Sequence, residues 1–234
     1  MINGHLSEAQ QGFAVLDEVD EETFLRFLRW TYTGDYPARE HTIIESEEAK
    51  EELAQDPIPN DEWGSWGIPK KDKKKKKKTT EPAVKGFLRE SFVSQRRNTG
   101  LSPFSVPAAR ANKGPEEDYT EVFLGHARIY VISEKYDIAA LRKLALQKLQ
   151  HQLAIHTLYI ERVGEITALL KYVYANTMAP ITSIREEDGI RAMLAHYIGV
   201  EMANLVKDGE IKNLMLEDAD LLGDFLKMFA LKIN

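Results

Sequence analysis

The chain contains no cysteine in 234 residues. Disulfide staples, thiolate nucleophiles and cysteine-ligated zinc are therefore excluded. The absence fits a reducing compartment, and an intracellular location, nucleus or cytoplasm, is expected. No run of about 18 apolar residues occurs, so no membrane-spanning helix is expected. No basic segment leads into an apolar one at the start, so no signal peptide is read there. Gly-x-x-x-x-Gly-Lys-Ser/Thr, Gly-x-Gly-x-x-Gly and Gly-x-Ser-x-Gly are all missing, which removes the usual phosphate cradles and the nucleophile elbow. His5, His41, His126, His151, His156 and His196 include no i, i+4 pair and no His-Glu-x-x-His, so no metal centre is read. The carboxylate pairs Glu21-Glu22 and Glu47-Glu48 read as helix starts or solvated faces, without the split environments that acid–base catalysis needs. These absences point to a non-catalytic protein without a cofactor.

What is present is charge, unevenly placed. Residues 1–69 hold 4 Lys and Arg against 16 Asp and Glu, residues 70–113 hold 14 against 3, and residues 114–234 hold 13 against 18. One basic block thus lies between two acidic ones. Its centre is Lys70, Lys71, Lys73, Lys74, Lys75, Lys76, Lys77 and Lys78. Such a run fits a nuclear import signal, a contact for phosphate backbones, or a solvated and self-repelling linker. Trp63 and Trp66 flank it, either to anchor in a partner's groove or to fold back on the chain's own apolar surface.

Three regions follow from composition and periodicity. In residues 1–36, the run Gly12-Phe13-Ala14-Val15-Leu16 reads as a strand. Asp20 is placed to cap a helix whose first turn carries Glu21 and Glu22, matching the dipole. Phe24, Phe27, Leu28 and Thr31 form its apolar stripe, with Arg26 and Arg29 off that face. Trp30 reads as packing rather than as a binding residue. Gly34 suits a left-handed stop, and Pro37 blocks continuation. Residues 37–115 carry eight prolines and the lysine run, and read as a mostly disordered insertion. Two stretches within it have helical character, residues 45–54 and residues 82–97, the second with Val84, Phe87, Leu88 and Phe92.

Residues 116–234 read as successive helices. The expected stripes are Phe123, Ala127, Tyr130 and Val131, then Ile138, Leu141, Ala145, Leu149 and Leu153, with Asp137 as the cap between them. Val163, Ile166, Leu170 and Val173 follow, with a break at residues 176–180. Ile190, Leu194, Tyr197, Ile198 and Met202 mark the next helix, and Asp208-Gly209 reads as a turn. Residues 210–216 and 218–231 complete the chain. The expected fold class is mainly α with a small β remnant.

Two separated segments carry a family resemblance. One is Leu16-Asp17-Glu18-Val19-Asp20 with Phe24 and Tyr32-Thr33-Gly34-Asp35-Tyr36. The other is Val122-Phe123-Leu124-Gly125-His126-Ala127-Arg128-Ile129-Tyr130-Val131, followed by Glu134-Lys135-Tyr136-Asp137-Ile138, Leu141 and Leu144-Ala145. This ordered pair resembles the second half of a BTB/POZ domain of fungal type, interrupted by a polar insertion and followed by a helical tail. The resemblance implies BTB-like segments at residues 1–36 and 116–153, the Lys-rich insertion at residues 37–115, and a helical extension at residues 154–234. It implies a protein–protein interaction module acting as an adaptor or scaffold, with homodimerisation and cullin-3 binding as family partnerships. The family's pattern opens with two strands and two helices before its Leu-x-x-Val-Asp segment, whereas about a dozen residues precede it here. The expectation is a domain lacking its N-terminal half, on which family dimerisation and cullin-3 contact largely rest. The alternatives are a nuclear, nucleic-acid-associated protein using the lysine run, or a truncated fragment without independent function. Phe24, Phe27, Phe123, Tyr130 and Leu141 are the residues to test first, with core as their expected role.

Overall fold

The computed structural model describes residues 19–44, 83–95, 109–178 and 189–233. The lysine run, Trp63, Trp66, residues 45–54 and the strand read at Gly12–Leu16 lie outside those residues. Among the described residues the fold is mainly α-helical, with a single two-stranded pairing.

Helix α1 (Glu21–Thr33) starts where the sequence places it. The Asp20 carboxylate accepts from the Thr23 N–H at 3.0 Å and from the Thr23 hydroxyl at 2.7 Å, filling one of the orphan donors of the first turn. The helix stops at Gly34, whose φ of 73° is open to glycine at no steric cost. The chain then runs out to β1 (Thr42–Ile43), which pairs antiparallel with β2 (Glu117–Asp118) through Thr42 opposite Asp118 and Ile43 opposite Glu117. This short ladder is the whole of the β remnant among the described residues.

The centre is a helical hairpin of α3 (Thr120–Lys135) and α4 (Ala139–Ile155). Phe123, Ala127, Ile129, Leu141, Ala145 and Leu149 are wholly enclosed there. Leu141, Ala145 and Leu149 recur at four-residue steps as one apolar stripe of α4, whereas Ile129 lies two residues from Ala127, so α3 is buried on more than one face. Helix α5 (Val163–Asn176) packs on α3, and α6 (Ile190–Leu205) on α5. Helices α7 (Gly209–Glu217) and α8 (Ala219–Ile233) close the chain, with α8 lying along α6. Asp208 caps α7 through the N–H groups of Glu210 and Ile211, so the expected turn is also a helix start.

Helix α2 (Ala83–Gln95) corrects the outline drawn from composition. It lies inside the stretch read as an insertion, yet Leu88 and Phe92 are 1 % and 2 % exposed and belong to the single core. Phe87, expected on the same stripe, is exposed. Helix α2 packs on α6; at Gly199 of α6 a Cβ would be in ordinary contact with Leu88 Cδ1 at 3.6 Å, and it is Met228 Cε of α8, at 2.7 Å, that uses the space. Tyr36, Asn112 and Glu117 are also buried, so the chain on both sides of the insertion is tied into the fold.

Asp137 does not cap α4. Its φ is 51°, and it ends α3 instead. The Asp137 N–H donates to Glu134 O at 3.1 Å and the Ile138 N–H to Ser133 O at 2.8 Å. Those two bonds make a Schellman stop with Asp137 in its left-handed position, a conformation Asp tolerates better than most side chains. Asp137→Gly is therefore expected to leave stability unchanged or raise it slightly. Asp137→Val should lower it by about 1–2 kcal/mol. Urea unfolding of both variants checks this; equal losses in the two would restore the capping role.

Candidate protein-binding surface

Among the described α-helices, α1 is one that fully buries no apolar side chain. Its fully buried side chains are Thr23 and Arg26. The apolar stripe read from sequence is only half covered: Phe24, Phe27, Leu28 and Trp30 are intermediate, and Thr31 is exposed. Phe24, Phe27 and Trp30 form a ladder along the helix, with ring centroids 6.3 and 6.2 Å apart. Phe27 and Trp30 rest on the core edge. Leu25 and Tyr32 stand out at 54 % and 87 % exposed. Of the five residues singled out from sequence, Phe123, Tyr130 and Leu141 are core, whereas Phe24 and Phe27 lie on this half-open face.

Polar side chains hold α1 down. Arg26, expected off the packed face, is turned inward; its Nε donates to Pro37 O at 3.2 Å and its guanidinium pairs with Glu22. Arg39 bridges two elements, pairing with Glu22 of α1 and Glu121 of α3. Arg128 joins from α3, 2.8 Å from Glu121 and 4.0 Å from Asp20. Burial acts to raise the Asp20 carboxyl, but the Thr23 hydrogen bonds and the charges of Arg128 and Arg39 outweigh it and hold it below its ordinary value. Gly125 of α3 is what admits this network. A Cβ there would sit 3.3 Å from Arg39 Cγ and 3.9 Å from Arg26 Nη1.

Behind α1 lies a second polar contact, wholly enclosed. The Tyr36 hydroxyl is 3.0 Å from His126 Nδ1 of α3. Lys148 of α4 pairs with Asp35, donates to Tyr36 O, and lies 4.3 Å from the centre of the Tyr36 ring. Burial lowers the Lys148 ammonium from its ordinary value, and Asp35 works against that shift. Burial, then the charges of Lys148 and Arg26, push the His126 imidazole down to about 3. Sequence reading missed this contact, although a signal was present: His126 and Lys148 interrupt otherwise apolar stripes one step from Ala127 and Leu149.

A third polar contact closes the far end of the hairpin. His156 ends α4 with its ring between Tyr119 and Phe123, at centroid distances of 5.1 Å each. Its Nε2 is 3.4 Å from Glu165 Oε2, while Glu165 Oε1 accepts from the Tyr119 N–H at 3.1 Å. Asn112 secures the same corner, bonding both the N–H and the carbonyl of Thr157.

Among the described residues no group of three or more His, Cys, Asp or Glu side chains is placed to hold a metal ion. No helix among them is long and apolar enough to cross a membrane. No family model, no curated protein and no solved structure matches the chain.

The His126 contact has a consequence for pH. Its folded value lies below the ordinary 6.5, so the unfolded chain takes up a proton that the folded chain refuses. Stability from this group is complete above about 6.5 and is lost as pH falls toward 3, by on the order of 5 kcal/mol at the acid end. Urea unfolding between pH 7 and pH 4 should show this loss. His126→Asn should flatten the slope, even if its stability at pH 7 is lower.

Proposed function

We propose that the chain is a non-catalytic protein–protein interaction module of the BTB/POZ type, acting as an adaptor or scaffold, with the open face of α1 that carries Phe24, Leu25, Leu28 and Tyr32 as its docking surface. The observation that carries this reading is the imbalance in α1. A helix bearing Phe24, Leu25, Phe27, Leu28 and Trp30 fully buries only Thr23 and Arg26. Isolated helices of this length are marginal in water, and tertiary contact normally stabilises them through an apolar face. Here salt links stabilise the helix, and Leu25 and Tyr32 stay exposed with Phe24 and Leu28 half-exposed beside them. Half-exposed aromatic side chains are the residue class that supplies binding hot spots. The Tyr32-Thr33-Gly34 stop and the α3–α4 hairpin stand in the order the BTB/POZ resemblance expects. An intracellular site, cytoplasm or nucleus, goes with that reading. Its partner is another protein; cullin-3 and a second BTB chain are the partnerships the resemblance offers for a first test, although the family segment on which they largely rest has no counterpart among the described residues.

The competing reading makes the lysine run a phosphate contact. It is tested in the same experiment. The wild-type chain, Leu25→Glu with Tyr32→Glu, and Lys73–Lys78 changed to Gln are each titrated against the cullin-3 N-terminal domain and against a DNA duplex. The docking reading expects protein binding that the α1 pair weakens at least tenfold, with the helical circular dichroism and melting temperature unchanged, and that the Gln variant keeps. Duplex binding that weakens steeply with salt and vanishes in the Gln variant would favour the nucleic-acid reading. Protein binding indifferent to Leu25 and Tyr32 would remove α1 as the docking surface.

A further inference from the structure

Residues 20–39 are anchored to the rest of the molecule by one ring. Among the described residues, Tyr36 is the single buried apolar side chain that precedes Leu88, at 1 % exposed. Phe27 and Trp30 only edge onto the core. Further links across are polar: Lys148 to Asp35 and to Tyr36 O, Arg39 to Glu121, and Arg128 to Asp20 at 4.0 Å. The chain beyond Arg39 is attached separately. β1 pairs with β2, the Ile44 N–H donates to Glu116 O at 2.8 Å, and the His41 ring stacks on Tyr119 with centroids 5.2 Å apart. None of these contacts involves Tyr36 or His126, so the ladder can stay closed when the segment before it leaves.

The anchor has no place for another charge. His126 of α3 is buried, and it faces Tyr36 of the chain after α1, Arg26 of α1 and Lys148 of α4. The carboxylates around this set are engaged: Asp35 with Lys148, and Glu22 with Arg26 and Arg39. An imidazolium would add a third cation to a desolvated site. Its Nδ1, once protonated, could no longer accept from the Tyr36 hydroxyl. Opening relieves both conflicts by putting the ring in water. Tyr36 stands two residues after the Gly34 stop, so the ring cannot leave without α1. A free helix of 13 residues is marginal in water, so α1 melts once it is released.

We propose that protonation of His126 releases residues 20–39 from the core as one unit, α1 included, while the helices from α2 to α8 stay packed and the β1–β2 ladder acts as the tether. Tyr36 and His126 are thus an acid-sensitive latch. The open face of α1 is lost with the release; that consequence for docking rests on the reading above, whereas the release itself does not.

Hydrogen exchange of the free full chain, followed amide by amide at pH 7 and pH 5, tests this under conditions where closing outpaces exchange. The amides from Phe24 to Gly34 should share one opening, at least tenfold less protected than the amides of α3 and α4. After correction for intrinsic rates, that opening should be about 25-fold more populated at pH 5 than at pH 7, as expected for a histidine that titrates near 6.5 only when released. Carboxylates keep most of their charge over this range. His126→Asn should abolish the pH dependence. Tyr36→Phe keeps the ring and removes the hydroxyl, and should raise the α1 opening at pH 7 at least fivefold. Amides of α1 as protected as those of α3 and α4 would make the opening global and overturn the proposal. An α1 opening equal at the two pH values, a pH dependence that survives in His126→Asn, or an opening indifferent to Tyr36→Phe would overturn it too. No partner is present in these measurements, so failure of α1 as a docking surface would leave their outcome unchanged.

Discussion

The attachment of α1 by charge rather than by apolar burial is the constraint on which the interpretation of this molecule rests. Arg39 is the centre of that attachment, tying Glu22 of α1 to Glu121 of α3. Arg26 and Lys148 fix the chain that follows, through Pro37 O, Asp35 and Tyr36. Ion pairs at a surface each contribute little, in the range of about 0–1 kcal/mol, whereas removing one partner of a network with enclosed members costs more because it leaves a desolvated charge unpaired. The division of labour has a structural result. Salt links take a share of the attachment that apolar burial supplies in an ordinary helix: Phe27 and Trp30 only edge onto the core, and Leu25 and Tyr32 remain at the surface.

The remaining helices follow the opposite rule. α3 and α4 meet through continuous apolar stripes, and α5, α6 and α8 add layers to the same core. Polar groups enter that interior in sets such as Tyr36 with His126, or Arg191 with Thr177 and Asp220. Such sets fix relative positions of helices that apolar contact alone would let slide. His126 shows the accompanying constraint: it holds its place neutral, between two cations, so acid acts on the fold at the joint that positions α1.

Two helices keep large apolar side chains at the surface, with different character. The open face of α1 sits above a charged network, and α8 leaves Leu226 and Phe229 exposed. Aromatic faces suit varied partners because they supply area at low entropic cost.

Much of the helical layout was legible in the sequence by itself. The Asp20 cap, the Gly34 stop and the stripes of Phe123, Leu141, Leu149, Ile166 and Leu194 are local properties, fixed by spacing and by the chemistry of single residues. The inclusion of α2 in the core was not legible, because the prolines and lysines around it dominate the composition while its burial depends on α6, about a hundred residues away. The role of Asp137 was hidden for a related reason: an aspartate between two helices fits either the end of one or the start of the next, and only the backbone path decides. Arg26, His126 and Lys148 were misplaced or unremarked because periodicity sorts residues by polarity, whereas burial of a charge depends on partners that the chain brings together over distances of up to 113 residues, as between Asp35 and Lys148. The sequence determined which segments are helices and where most of them end. Only the tertiary structure decided which apolar faces are used up in the core and which, on α1 and α8, are left over, since that depends on what each helix packs against.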